Sequence, residues 1–290
     1  MLVVVGSLVV LACVLGGFLL SHGQLMALWQ PYELMIIGGG ALGSFLAANP
    51  ARLVKAALRD AAGLLKGPKY RRQDYLDLLS MLYGVFGVMR KDGVLGLEPH
   101  IEDPQSSPVF GAYPRLIREH HLIEFTTDCL RLIVGGNMNP HELEQLLDVE
   151  LETHQREAEA PALAVMKLAD ALPGFGIVAA VLGIVTTMSQ LDGDTSRIGM
   201  HIAGALVGTF LGILLCYGFV GPLGAAMEAR VHEEGKAFEC VKVALLANLR
   251  GYNPKVAVEF ARKSLSAQAR PNFQDLEAHL RDAARAGAAA

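Results

Sequence analysis

The chain is poor in the residues that build metal sites and covalent cross-links. Among its 290 residues there are only four cysteines, and none belongs to a C-x-x-C pair or another metal-ligand spacing; they are Cys13, Cys129, Cys216 and Cys240. The sequence therefore predicts free, packed cysteines, with no disulfide framework, no metal site and no bound cofactor.

The sequence also lacks the signatures of common enzymes and of nucleic-acid binding. It has no P-loop, no nucleophile elbow and no segment with the two-residue period of a half-buried strand. The formal net charge of −4 gives no basic excess for a nucleic-acid partner. We therefore expect neither an enzyme nor a nucleic-acid-binding protein.

What the chain has instead is apolar length, because 52% of its residues are hydrophobic. A membrane-crossing helix needs about 20 mostly apolar residues. Four stretches approach or reach this length, at positions 2–20, 34–51, 171–191 and within 198–227, and none contains Asp, Glu, Lys or Arg. Ionisable residues inside a membrane usually mark ion pathways. Either the protein carries no ions, or a partner chain supplies the carboxylate.

The distribution of basic residues orients these spans. Of the 25 Lys and Arg residues, 14 lie in positions 52–170 and 10 in 228–290, whereas the connections outside these segments hold one. The positive-inside rule places both basic segments and both termini in the cytoplasm. We therefore expect four segments: a first transmembrane pair (1–51), a cytoplasmic helical domain (52–170), a second transmembrane pair (171–227) and a cytoplasmic C-terminal helical tail (228–290).

The cytoplasmic segments have helical patterns. Leu78, Leu82, Val85 and Met89 form one apolar face. Asn139-Pro140 provides an N-cap and a first-turn proline for a helix of about 50 residues that runs towards the third span, with Pro161 as its only interruption. A second long helix follows the fourth span and ends at "GYNP". The expected fold class is an all-α integral membrane protein.

Glycines recur at helical spacing inside the spans. Gly39 and Gly43 form one G-x-x-x-G motif, and Gly204, Gly208 and Gly212 form a ladder of two. Such spacing lets helices approach closely in lipid. Packing within the chain and packing against a partner helix or another copy both remain open.

Prolines and small polar residues mark the inner two spans. Pro173 and Pro222 lie at corresponding cytoplasmic ends of the third and fourth spans, where each removes a backbone donor and favours a hinge. Three residues seven apart share one stripe of the third span: Pro173, Ala180 and Thr187. On the fourth span, Thr209 and Cys216 share a stripe with Tyr217 beside it.

Several long segments resemble the MotA family of flagellar motor stator proteins, part of the MotA/TolQ/ExbB proton channel superfamily. They include "LADALPGFGIVAAVLGIV", "GALVGTFLGILLCYGFVGPL", "YPRLIREH" and "GYNPKVAVEFARKSL". The resemblance covers all but about the last ten residues. It implies a pentamer around a dimer of MotB in the bacterial inner membrane, with MotB supplying an aspartate and proton flow driving torque on the rotor protein FliG.

The resemblance also suggests roles for individual residues. Pro173 and Pro222 match the paired prolines of the family, and Thr209 matches the threonine that lines the ion path, with Tyr217 nearby. The charges that meet FliG fall on Arg90, Glu98 and Glu150, the first two in a loop-like stretch. Sodium-driven relatives carry threonine where this chain has Ala180, so the resemblance implies coupling to protons.

Two other interpretations were weighed. An energiser of the ExbB/TolQ type would also surround a carboxylate-bearing partner, but three spans are expected of it. A stand-alone channel is disfavoured because the spans contain no charged group. Four spans exclude a soluble enzyme.

Overall fold

A computed structural model describes residues 2–136, 139–188 and 195–289, and within these residues the chain forms helices and no strand. The α-helices are α1 (Leu2–Leu20), α2 (Pro31–Ala48), α3 (Ala51–Gly63), α4 (Arg72–Asp92), α5 (Glu98–Glu102), α6 (Pro108–Gly111), α7 (Pro114–Ile117), α8 (His120–Val134), α9 (Pro140–Met188), α10 (Thr195–Leu215), α11 (Gly221–Leu249), α12 (Pro254–Ser264) and α13 (Phe273–Ala289). The all-α expectation is confirmed.

The start of the long helix α9 follows from its capping residues. Gly136 has a φ of 73°, a left-handed conformation that favours glycine and stops α8. The side chain of Asn139 then accepts the backbone N–H groups of His141 and Glu142 at 2.9 and 3.0 Å, and the Glu142 carboxylate accepts the Asn139 N–H at 3.1 Å. This reciprocal capping satisfies donors that the first helical turn leaves free.

Helix α9 is 49 residues long, close to the expected length, and remains helical through Pro161 and Pro173. The predicted interruption at Pro161 is therefore wrong. Each proline removes one hydrogen bond from the helix, but the bonds on either side hold the helical geometry. Positions 189–191 of the predicted third span lie outside the described residues.

The predicted limits of the second span, 34–51, are wrong by three residues at each end. Helix α2 begins at Pro31, which suits the first helical position because it has no N–H to satisfy. It ends at Ala48, and Asn49 is extended because it precedes Pro50. Glu33 consequently lies inside the first turn of α2 rather than outside the span.

The helix after the fourth span is not a simple continuation of α10. A π-helical turn, Cys216–Val220, separates α10 from α11, and the Gly221 N–H donates to the Cys216 carbonyl five residues earlier. Such turns commonly occur at functional sites. Helix α11 then ends at Leu249, and Gly251, with a φ of 89°, confirms the predicted stop at "GYNP".

The chain forms two compact units, and each combines two separate stretches of sequence. One unit contains the chain up to Gly67 and Ala158–Val231, and the other contains Pro68–Glu157 and the chain from His232 onwards. The second unit has the larger apolar core, in which Leu78, Leu82 and Val85 of α4 are at most 1% exposed. The predicted apolar face of α4 is thereby confirmed.

Four helical segments have the apolar character of membrane spans, and their most apolar parts belong to the first unit. Four helical segments, Leu2–Leu20, Leu25–Ala48, Pro140–Met188 and Ile202–Leu249, are long and apolar enough to cross a membrane. Many of their large apolar side chains are exposed, and α1 buries no residue. Cys13 of α1 is exposed, contrary to the expectation of four packed cysteines, whereas the other three are buried. Exposed apolar surface of this extent suits contact with lipid or partner helices.

Candidate functional site

Three of the five candidate ion-path residues lie on α9 and α10, and these two helices approach each other through glycines. A Cβ atom built on Gly212 would lie 2.7 Å from the carbonyl oxygen of Leu172 and 3.1 Å from the Cα of Gly176. The first distance is too short for a real Cβ contact with backbone. Glycine at position 212 is therefore required for this close packing of the two backbones.

Three of the residues suggested by the resemblance surround this contact. The Cα of Thr209 lies 3.5 Å from a Cβ built on Gly176, and the amide nitrogen of Ala180 lies 3.7 Å from a Cβ built on Gly208. Pro173 comes directly after the residue whose carbonyl oxygen meets α10. The structure thus brings Pro173, Ala180 and Thr209, all half-buried, to one helix–helix contact.

The other two residues lie at the π-helical turn that follows α10. Tyr217 is 74% exposed, and Pro222 is exposed in the first turn of α11. Because Pro222 has no N–H, the carbonyl of Gly218, four residues earlier, lacks its usual helical donor. This carbonyl accepts a long hydrogen bond, 3.5 Å, from the hydroxyl of Ser7 in α1. Ser7 is a contact that the sequence did not indicate.

Thr187, which shares the stripe of Pro173 and Ala180, has a purely local hydrogen bond. Its side chain is 1% exposed, and its hydroxyl donates to the carbonyl of Gly183 at 2.8 Å. This bond to the helix's own backbone satisfies the hydroxyl donor.

The two sets of glycines have different environments. Gly208 and Gly212 of α10 pack against α9, so their close approach is used within the chain. A Cβ built on Gly39 or Gly43 of α2 would meet nothing within 4 Å. The sequence left open packing within the chain and packing against a partner. The α10 ladder packs within the chain, whereas the α2 motif faces open space.

Glu33 is the site residue that sequence reasoning missed. Its Cγ lies 3.2 Å from a Cβ built on Gly208, and the Cβ of Ala179 and the amide nitrogen of Ala180 lie 3.4 and 3.7 Å from the same point. The half-buried carboxylate therefore belongs to the junction that holds Ala180 and Thr209. The position of α2 against α10 decides this, and no motif in the sequence reports it.

The charged residues expected at the rotor lie in the second unit. Arg90 lies in the last turn of α4 and Glu98 begins α5, with a short 3-10 helix, Val94–Leu97, between the two helices. The expected loop-like stretch is thus mostly helical. Both side chains are exposed, and among the described residues neither forms an ion pair within 4 Å. Two unpaired charges of opposite sign are consequently available to a partner.

Glu150 differs from these two residues because it is half-buried on α9. Burial, assisted by the nearby carboxylate of Asp128, raises the pKa of Glu150 above its usual range. A carboxylate that is partly desolvated in its own fold is less accessible to a partner than Arg90 or Glu98.

A motif in the quoted resemblance, "YPRLIREH", has a structural explanation in the second unit. Arg115 pairs through its Nε with the Asp74 carboxylate at 2.8 Å, and Asp74 is 2% exposed. The same carboxylate accepts the backbone N–H of Arg71 at 2.6 Å and so caps α4. In the part of the chain that the structure describes, no group of three His, Cys, Asp or Glu residues is placed to hold a metal ion.

Two protein-family models match the chain. Residues 4–93 match the model of the motility protein A N-terminal region, and residues 119–240 match the MotA/TolQ/ExbB proton channel family. Together they include all five candidate ion-path residues and two of the three candidate rotor-interface residues, Arg90 and Glu150. The third, Glu98, lies between the two matches.

The similar curated proteins are motility proteins. Motility protein A of Salmonella typhimurium is 45% identical over 281 residues, which are 97% of this chain and 95% of that protein. Motility protein A of Escherichia coli is 46% identical over the same shares of both chains. The chemotaxis protein LafT of Vibrio parahaemolyticus is 42% identical over 95% of this chain and 96% of its own.

Solved structures share the fold. The structure of C. jejuni MotAB matches with a TM-score of 0.73 and 19% identity over 93% of this chain and 98% of that one. The flagellar MotAB stator complex of Bacillus subtilis matches with a TM-score of 0.68 and 23% identity over 88% and 92% of the two chains. With helices suited to a membrane, a shared fold and relatives at 45% identity over nearly the whole length, the chain belongs to the motility protein A family.

Proposed function

We propose that the chain is a stator subunit of the bacterial flagellar motor, which converts proton flow into torque. The observation that carries the proposal is the contact of α9 with α10, where Pro173, Ala180 and Thr209 meet beside closely packed glycines. The apolar segments of these two helices contain no Asp, Glu, Lys or Arg between Ala171 and Met188 or between Ile202 and Met227. An ion-dependent role therefore favours a carboxylate that comes from a partner.

The proposed partner is a MotB-like protein whose single span carries that aspartate. Two solved structures with the same fold are named for complexes of MotA with MotB. Protonation of an aspartate between apolar helices removes a charge that is costly in low dielectric, and so changes which helix packing is favoured. The open glycines of α2, Gly39 and Gly43, suit close contact with a partner helix or another copy, consistent with a pentamer around a MotB dimer.

The proposed output is contact with the rotor protein FliG. Arg90 and Glu98 are exposed and unpaired among the described residues, so their charges remain available for complementary charges on a rotor surface. Glu150 is proposed as a weaker contributor, since it is half-buried. The positive-inside distribution supports an inner-membrane location with both termini in the cytoplasm.

The proposed ion is the proton. Sodium needs several oxygen ligands to replace its water, and the Ala180 methyl group supplies none. A proton needs only a carboxylate and a path through water. An energiser of the ExbB/TolQ type is not favoured, because the relatives at 42–46% identity are named as motility and chemotaxis proteins.

The proposal is tested by complementation and copurification. A host that lacks its own stator genes receives this chain together with the MotB-like protein of the same source. We expect restored swimming and copurification of both proteins from detergent extracts. Omission of either protein is the control and is expected to abolish swimming. Membrane insertion of both proteins with no copurification and no swimming contradicts the proposal.

A further inference from the structure

Glu33 is an ionisable residue inside a candidate membrane span, and it has no ion-pair partner in the part of the chain that the structure describes. Glu33 is half-buried in the first turn of α2, and among the described residues no Lys, Arg or His nitrogen lies within 4 Å of its carboxylate. Its Cγ lies 3.2 Å from a Cβ built on Gly208 of α10. Glu33 itself belongs to the candidate membrane span Leu25–Ala48.

A carboxylate inside a membrane span is energetically costly and usually marks a functional site, so the groups around Glu33 are informative. The Cγ of Glu33 and the amide nitrogen of Ala180 both lie within 3.7 Å of one point, the Cβ position at Gly208. The side-chain amide of Gln30, one helical turn earlier, lies 3.5 Å from the corresponding point at Gly204. Two polar side chains from the start of α2 therefore lie along the glycine ladder of α10, and the glycines leave the space for them.

We propose that Glu33 is a proton-exchanging carboxylate at the outer end of the ion path. This inference rests on the proposed stator function. A proton from outside binds a carboxylate oxygen of Glu33 and gives the neutral acid. The acid then releases the same proton, directly or through water, towards the aspartate of the partner, and the Glu33 carboxylate is regenerated. No other bond forms or breaks in this step.

A simpler role for a carboxylate in a first helical turn is to complement the helix dipole. That role needs negative charge near the start of α2, but it does not need contact with Gly208. Tyr32 lies in the same turn and is 75% exposed. The double variant Tyr32→Glu/Glu33→Gln therefore keeps an acid in the first turn and removes it from the junction with α10.

The experiment measures proton uptake and single-motor torque as functions of external pH, in cells that carry the chain with its MotB-like partner. Glu33→Gln and the double variant are both expected to lose most of the proton uptake and the pH response associated with this carboxylate. Glu33→Asp, which retains a carboxyl group, is expected to keep a pH response with a shifted midpoint. Protein level and copurification of the partner are measured in every strain.

Three outcomes overturn the inference. The first is wild-type uptake and an unchanged pH profile in Glu33→Gln. The second is recovery of uptake in the double variant, which assigns Glu33 to the helix dipole. The third is loss of the partner from both Glu33→Gln and Glu33→Asp, which assigns it to assembly. Failure of the unmodified chain to restore swimming would instead contradict the proposed stator function itself, so the two failures are distinguishable.

Discussion

Single atoms decide the packing at the contact between α9 and α10. A methyl group on Gly212 would lie 2.7 Å from the Leu172 carbonyl oxygen, and one on Gly176 would lie 3.1 Å from the Gly208 carbonyl oxygen of α10. Two residues away on α9, Gly174 has nothing within 4 Å of a Cβ position. The same residue type is thus required at one position and replaceable at another, according to what the opposite helix presents.

Gly212→Ala is expected to destabilise the protein by about 1–3 kcal/mol, the usual range for atoms forced into a packed interior. The added methyl group would lie 2.7 Å from the Leu172 carbonyl oxygen, so the helices must separate. Thermal unfolding of the purified protein in detergent measures the effect. Gly174→Ala is the matched control and is expected to leave Tm nearly unchanged. Equal Tm values for the two variants would show that the close contact is absent.

Glu150 is expected to make stability depend on pH. Its pKa is raised in the folded protein, so the folded state holds this proton more tightly than the unfolded state does. Stability from this group is therefore lost as pH rises from the unfolded pKa through the folded pKa. Glu150→Gln should raise Tm at pH 8 more than at pH 5. Glu98→Gln, on an exposed side chain, is the control, and the same difference in Tm at both pH values for Glu150→Gln would contradict the burial of Glu150.

At the scale of elements, two prolines act in different ways. Pro173 lies inside a continuous α9, whereas Pro222 follows the π-helical turn Cys216–Val220 and leaves the Gly218 carbonyl to Ser7. Each proline removes one backbone hydrogen bond and so loosens its helix at one point without ending it. A helix with one missing hydrogen bond bends more easily than an unbroken one, which suits a mechanical role.

Pro173→Ala and Pro222→Ala are expected to insert into the membrane at normal levels and to impair motility. Each restores a backbone N–H that can donate to the carbonyl four residues earlier, and so stiffens the helix. Swimming speed and immunoblots of the membrane fraction measure the two effects. Ser7→Ala is the control for the Gly218 contact and should be mild, because a 3.5 Å hydrogen bond is weak. Normal swimming by both proline variants at normal protein level would remove the hinge hypothesis.

At the scale of the whole molecule, the apolar helices and the exposed charges proposed to meet the rotor lie in different parts of the fold. The apolar helices of the first unit are suited to lipid and partner helices, and Arg90 and Glu98 belong to the second unit. Glu33 is distinct from these two charges, since it lies in the first turn of the apolar helix α2. The proposed roles therefore assign torque to two kinds of electrostatics, one inside the membrane and one at an aqueous surface.

Reversal of charge at Arg90 or Glu98 is expected to weaken torque, and a complementary reversal on FliG should partly restore it. Single exposed charge pairs contribute less than about 1 kcal/mol, so each single reversal should be mild and the double reversal stronger. Tethered-cell rotation and stator recruitment to the motor measure these effects. If the double reversal changes neither, the rotor interface lies elsewhere on the molecule.

Swimming is expected to depend on the proton gradient and not on sodium. The side chain of Ala180 offers no oxygen where α9 passes the junction with Thr209, so part of a sodium coordination shell is missing. The measurement is swimming speed with external sodium replaced by potassium at constant pH, in a strain with no second stator set. A steep loss of speed that returns with sodium would overturn the assignment.

Much of the fold was predictable from local patterns. The start of α9 at Pro140 and the apolar face of α4 follow from capping residues and helical periodicity, which act over a few residues. The apolar stretches predicted the spans because a helix satisfies all its backbone groups within its own segment. The limits of α2 were missed because Pro31 starts a helix and Pro50 prevents its continuation, and the apolar run showed neither.

The sequence by itself determined the helices, the four apolar segments and the family resemblance that singled out Pro173, Ala180 and Thr209. Only the tertiary structure decided that these three residues share one contact, that Gly208 and Gly212 of α10 pack against α9 while Gly39 and Gly43 of α2 are open, and that Glu33 and Ser7 belong to these sites. The reason is physical. Sides of a membrane helix that face lipid and sides that face another helix are similarly apolar, so the rotation and depth of each helix are fixed by packing between residues far apart in the chain.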